Sequence, residues 1–187
     1  LQGSADGYMD EVHTLRDTYA ADVVVLIVSN SESCGIGYVM QTVSSSFESH
    51  AFSVVSKNCA TGYYSMAHEI GHNMGCAHDR ANAGIDGAFD YAYGYQEPSE
   101  RFRTIMAYDC TGGCTRVNYW SNPNIDYDGR GTYMGIIYTD PNAADNHMAL
   151  NNTRTTVANF RQSVEAKILH PNGGQSFTQG DTISITW

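Results

Sequence analysis

The sequence predicts a mixed α/β fold of the α+β kind, and three observations carry that prediction. Apolar side chains recur at three- and four-residue spacing across residues 7–19, and a continuous, mostly β-branched run follows at Val23–Val28. Between Asn82 and Thr132 regular periodicity gives way to Gly, Asn, Asp and Tyr. A helix followed at once by a buried strand is half of an α/β unit, and the third feature marks an irregular C-terminal part.

Taken in order, Tyr8, Val12, Leu15 and Tyr19 line one face of a helix over 7–19, with Asp6 and Gly7 suited to its start. Val23–Val28 has the pattern of a strand buried on both faces. Two more strands are expected at 36–41 and 52–56, with the Ser44–Ser46 stretch looping between them. Residues 62–75 form the next helix even though Gly71 lies inside it and Gly75 at its end. A last helix runs over 143–161, with Met148, Leu150, Val157 and Phe160 as its apolar positions. After Ser163 the texture becomes strand, Pro171-Asn172-Gly173-Gly174 turn, strand.

Composition narrows the function. Hydrophobic residues make up 42% and charged residues 16%, which excludes a disordered, charge-rich chain. The formal charge of −10 argues against nucleic acid or an anionic membrane surface as a partner. The longest apolar run, Val23–Val28, falls far short of the ~20 residues a membrane span needs. The chain begins at Leu1 and stops at Trp187 inside a strand pattern, so it reads as an excerpt.

The chemistry concentrates in His68-Glu69-Ile70-Gly71-His72-Asn73-Met74-Gly75-Cys76-Ala77-His78-Asp79. On a helix His68 and His72 stand one turn apart on one face, so both imidazoles reach one ion. Gly75 permits a positive φ that ends the helix and brings His78 round as a third nitrogen. Three imidazoles leave a fourth tetrahedral position open, the arrangement of a catalytic zinc site. Glu69 lies close enough to take a proton from water there, which makes it the general base of a hydrolysis. Five fixed positions arise by chance in a chain this long with odds on the order of one in 10⁵.

These residues resemble the metzincin metallopeptidase signature, in which the long zinc motif is followed by a Met-turn. Arg103-Thr104-Ile105-Met106-Ala107-Tyr108 matches that turn. The resemblance covers residues 6–163 and implies a metzincin-type catalytic domain. Such a domain has a twisted mixed sheet, an active-site helix and an irregular C-terminal subdomain, with Met106 as an apolar floor beneath the histidines. Asp79 is similar to the reprolysin (adamalysin) branch, where the carboxylate braces the site. Tyr108 is instead similar to astacins and serralysins, where such a Tyr stabilises the oxyanion; a buried structural hydroxyl is the competing role. The blend is most similar to secreted bacterial reprolysin-like peptidases, among them those grouped as peptidyl-Asp metallopeptidases. Family members begin with further strands, so the N-terminal part of the sheet is expected to be missing.

The resemblance also implies where substrate lies. An edge strand ahead of the active-site helix accepts polypeptide as an added strand, which points to Tyr38, Val39, Met40 and Gln41. Trp120, Ser121 and Asn122, after the Met-turn, correspond to the wall of the pocket beyond the scissile bond, or else to a loop closing the lower core. The functional expectation is a secreted, monomeric zinc endopeptidase of residues 1–163. The truncated start of an immunoglobulin-like β module follows at 164–187. The rival is a degenerate zinc-bearing module for binding or adhesion, and Glu69 counts against it.

Five cysteines leave one over. Cys110 and Cys114 flank Thr-Gly-Gly, a loop a disulfide can close, and Cys34 and Cys59 bracket two expected strands. Two such bridges fit an oxidising, extracellular setting. Cys76 is then a small buried thiol. Asp126, Asp128 and Asp140 offer oxygens to calcium, but without EF-hand spacing they read more simply as turn carboxylates.

Overall fold

The computed structural model describes residues 1–29 and 32–161, with the single positions 176, 178 and 182. The β module expected at 164–187 therefore lies outside the described residues, those isolated positions aside. Helix α1 (Glu11–Thr18) leads into β1 (Val24–Val28), and β2 (Gly35–Gly37) and a 3-10 turn at Ser45–His50 precede β3 (Phe52–Ser56). β3 is the centre of a mixed sheet in the order β1-β3-β2. It runs parallel to β1, with Val24 opposite Phe52, and antiparallel to β2, with Ile36 opposite Val54. The short α2 (Lys57–Ala60) turns the chain into α3 (Ser65–Asn73), which packs across β2 and β3.

Beyond α3 the strands are brief, as the irregular composition of 82–132 predicts. β4 (Ala77–Asp79) pairs in parallel with β5 (Tyr93–Gly94), and β6 (Gln96–Glu97), β7 (Phe102–Arg103) and β8 (Thr115–Arg116) form a second small sheet. β9 (Asn122–Asp126) and β10 (Tyr133–Met134) form a hairpin. The final helix, α4 (Asn146–Val157), starts where the Asp145 carboxylate accepts a hydrogen bond from the Met148 amide at 3.0 Å. Cys34–Cys59 and Cys110–Cys114 are both bonded, and Cys76 is a buried free thiol. Burial pushes that thiol well above its ordinary pKa and leaves it inert.

Three expectations are corrected. The strand expected over 36–41 stops at Gly37, because Met40 turns inward, wholly buried, and its amide donates to the His72 carbonyl at 3.0 Å. β1 is half-buried, with Ile27 52% exposed, because it is an edge of a three-stranded sheet. On α1 the expected apolar face of Tyr8, Leu15 and Tyr19 is exposed, and Arg16 is the buried side chain. Its guanidinium donates to the carbonyls of Ala21, Asp22 and Glu48 and lies over the Phe52 ring. Three backbone acceptors and an aromatic face compensate a charge that burial would otherwise disfavour.

Candidate active site

His68 and His72 lie one turn apart on the buried face of α3, and Gly75 then sends the chain back with φ +87°. A side chain at Gly75 would collide with Ala88 Cβ at 2.6 Å, so both conformation and space require glycine. The reversal delivers β4, and with it His78, against the other two rings. His78 Nε2 stands 3.1 Å from both His68 Nε2 and His72 Nε2.

The tautomers follow from the other ring nitrogens. Nδ1–H of His68 donates to the Ile105 carbonyl at 2.9 Å, and Nδ1–H of His72 donates to the Cys76 carbonyl at 2.8 Å. Burial pushes His68 down to about 3 and His72 to about 4, and lowers His78 too, so all three are neutral at neutral pH. Each Nε2 of the helical pair then presents a lone pair to the centre, an arrangement that repels unless a cation occupies it. A tetrahedral zinc with bonds of about 2.0–2.1 Å sets its nitrogens about 3.3–3.4 Å apart. The observed 3.1 Å and the all-nitrogen donor set fit zinc, and among the described residues these histidines are the group of three able to hold a metal.

The floor is built from the turn at Ile105–Tyr108. Met106 is wholly buried beside Cys76, Ala92, Ile105 and Ala149. A methyl group on Gly71 would lie 2.8 Å from Met106 Sδ and 2.7 Å from the Trp120 ring, so glycine lets α3 sit directly on this floor. Asp79, 5% exposed, accepts from the Tyr108 amide at 2.9 Å and from the Asn82 side chain at 2.8 Å. It thereby ties the His78 strand to the turn under the site. Trp120 belongs to the floor, Ser121 is wholly buried with its hydroxyl donating to the Tyr93 carbonyl, and Asn122 is buried in β9.

Above the histidines opens a cleft of about 510 Å³. Ser33–Gly37, Val39, Ser65, Glu69, Tyr108 and Arg116 line it together with the three histidines. Tyr38 faces a different groove, against Phe52 and Val54, and Met40 is buried in the core, so of Tyr38–Gln41 only Val39 lines the cleft. Tyr108 is 45% exposed, with its ring centroid 4.2 Å from that of His78. Burial pushes the Glu69 carboxyl up to about 7, with Arg116 pulling the other way.

Two features escaped the sequence reading. A side chain at Gly35 would meet the Glu69 carboxylate at 2.4 Å, and one at Gly37 would meet it at 3.1 Å, so β2 lies directly over Glu69. Glycine at alternate positions of a strand is the available signal, since it marks close approach. Arg116, an isolated basic residue on a two-residue strand, gave no signal at all. The acidic loop behaves as turn chemistry: Asp126 accepts from the amides of Gly129 and Gly131, Asp128 from Arg130, and Asp140 from Asn142.

With this geometry in hand, residues 1–121 match the model of metallo-peptidase family M12. The chain belongs to that family. It is 47% identical over 164 residues to a peptidyl-Asp metalloendopeptidase of Stenotrophomonas maltophilia (strain R551-3), covering 86% of this chain and 37% of that protein. It is 46% identical over 156 residues to a peptidyl-Asp metalloendopeptidase of Xanthomonas campestris pv. campestris, covering 83% and 35%. The chain thus spans little more than a third of the length of these relatives. A solved chain described as "Structure of a chaperone-substrate complex" superposes with a TM-score of 0.59 at 18% identity, covering 82% of this chain and 25% of that one. At that identity the likeness concerns the fold alone.

Proposed function

We propose that this M12 chain is the catalytic domain of a secreted zinc endopeptidase that hydrolyses polypeptides at aspartate, as the names of its relatives suggest. The observation that carries the reading is the convergence of three neutral imidazoles beside a buried carboxylate at the base of an open cleft. When bound by His68, His72 and His78, zinc supplies a Lewis acid that polarises the scissile carbonyl and makes water nucleophilic near neutral pH.

The side chains do the rest. Glu69, held between α3 and the two glycines of β2, accepts the proton of the attacking water and passes it to the leaving amine. Its burial keeps it basic enough to retain that proton until the amine departs. Tyr108, half-exposed against His78, is placed to donate its hydroxyl to the oxyanion. β2 is the edge of its sheet, so substrate adds there as a strand through main-chain hydrogen bonds that ignore sequence. The two disulfides fit the oxidising space outside the cell, and no helix of the described residues is long and apolar enough to cross a membrane.

The test is digestion of denatured casein by the protein as isolated, after chelation, and after zinc is restored. Cleavage that disappears with the metal and returns with it is the expected result. A folded protein that binds one zinc and cleaves nothing would replace this reading with the binding-module one.

A further inference from the structure

Among the described residues lining the cleft there is one arginine and no lysine. Arg116 lines the cleft with Ser65 and Glu69, close enough that its charge acts on both Glu69 and His68. One η nitrogen donates to the Tyr63 carbonyl at 3.0 Å and the other to the Ala107 carbonyl at 3.1 Å. The fork is thereby pinned between the turn ahead of α3 and the turn beneath the histidines.

Its charge has no close counter-ion among the described residues. Arg103, Arg130 and Arg161 each pair with a carboxylate, whereas Arg116 has none within ion-pair distance among the described residues. A guanidinium has five N–H donors, of which the two carbonyls take two. The Nε donor is buried without a hydrogen-bond partner. Burial and neighbouring Arg103 lower the group to about 10, so it stays charged at neutral pH. A half-buried cation left unpaired is costly unless a partner arrives to complete it. The partner that enters this cleft is substrate.

Which substrate residue it meets follows from Glu69. The proton that Glu69 delivers goes to the leaving nitrogen, and the side chain of the residue bearing that nitrogen branches from the adjacent carbon. Arg116, which lines the cleft with Glu69 and acts on its carboxylate, is the cation such a side chain can meet. We propose that Arg116 binds the side-chain carboxylate of the substrate residue on the carboxyl side of the scissile bond, making it the group that selects aspartate there. This rests on the peptidase reading above and assigns its specificity to one residue. In a chain of net charge −10, a single cation at this point is also what offsets the general repulsion of acidic substrate.

The experiment compares kcat/KM for peptide pairs identical except for Asp or Asn after the scissile bond. Wild-type protein, Arg116→Met and Arg116→Lys are measured side by side. A charge-assisted pair predicts a wild-type preference for Asp of about 10- to 100-fold. Arg116→Met collapses the ratio toward one, and Arg116→Lys retains part of it. An arginine that merely braces two turns would lower both rates and leave the ratio unmoved, which would overturn the proposal. If Arg116→Met fails to fold, the wild-type ratio and the Lys variant still decide, and a wild-type ratio near one overturns it alone. Failure of the underlying reading looks different: wild-type protein would cleave neither peptide with zinc present.

Discussion

Two helices of this molecule are anchored in opposite ways. α3 rests on a dry floor of Met106 and Trp120 so close that Gly71 has no room for a methyl group. α1 is held instead by a polar plug, Arg16, whose guanidinium satisfies three backbone carbonyls while Leu15, with Tyr8 and Tyr19 flanking the helix, faces water. A close-packed apolar floor has one arrangement and transmits small displacements, which suits a helix that must aim two imidazoles within tenths of an ångström. A hydrogen-bonded arginine fixes a helix end to the sheet but leaves the rest of its surface unconstrained. The difference separates what positions the site from what only holds the fold.

Substitutions sharpen that separation. Asp79→Ala removes the link between the His78 strand and the turn below it, and a 10- to 100-fold loss of zinc affinity is expected with the fold intact, measured by competition with a chromogenic chelator. Arg16→Met strands three carbonyls and is expected to destabilise the fold by about 2–3 kcal/mol in urea titration, while zinc affinity of the folded protein is unchanged. An equal effect of both variants on zinc would erase the distinction. Gly71→Ala gains about 1 kcal/mol in helix propensity but meets an overpacking cost of about 1–3 kcal/mol. Net destabilisation is expected, with weaker zinc binding because the helix lifts.

The smallest effect is acid sensitivity of the metal-free protein. His68 and His72 titrate at about 3 and about 4 when folded, against about 6.5 when unfolded, so the unfolded chain binds more protons and stability is lost as pH falls below about 6.5. Glu69, raised to about 7, acts in the opposite sense between that value and its ordinary one, as the folded state takes up its proton. Two histidines outweigh one carboxyl, so the melting temperature of the metal-free protein falls from pH 7 to pH 5. A rise over that interval would show that the histidines are not buried as neutral groups.

How far the sequence could be read follows the same division. The zinc motif, the positive φ of Gly75 and the disulfide candidates were legible from spacing and turn chemistry, whereas the Asp79 brace and the Met106 floor followed only from the resemblance to metzincins. The apolar period of α1 misled, since periodicity reports which residues could be buried and not which find a partner; Arg16 found three. β2 ended early because Met40, an ordinary strand residue by composition, was claimed by the core beneath His72. Arg116 was invisible because its role arises from turns that are distant in sequence, at Tyr63 and Ala107.

The most direct measurement of the central claim is zinc content and protein cleavage for Glu69→Gln beside the wild type. One zinc per chain in both, with cleavage by the variant reduced at least 10³-fold, is the result this account predicts. Wild-type cleavage rates in a zinc-loaded Glu69→Gln protein would contradict it, because the carboxylate under Gly35 and Gly37 would then not be the base.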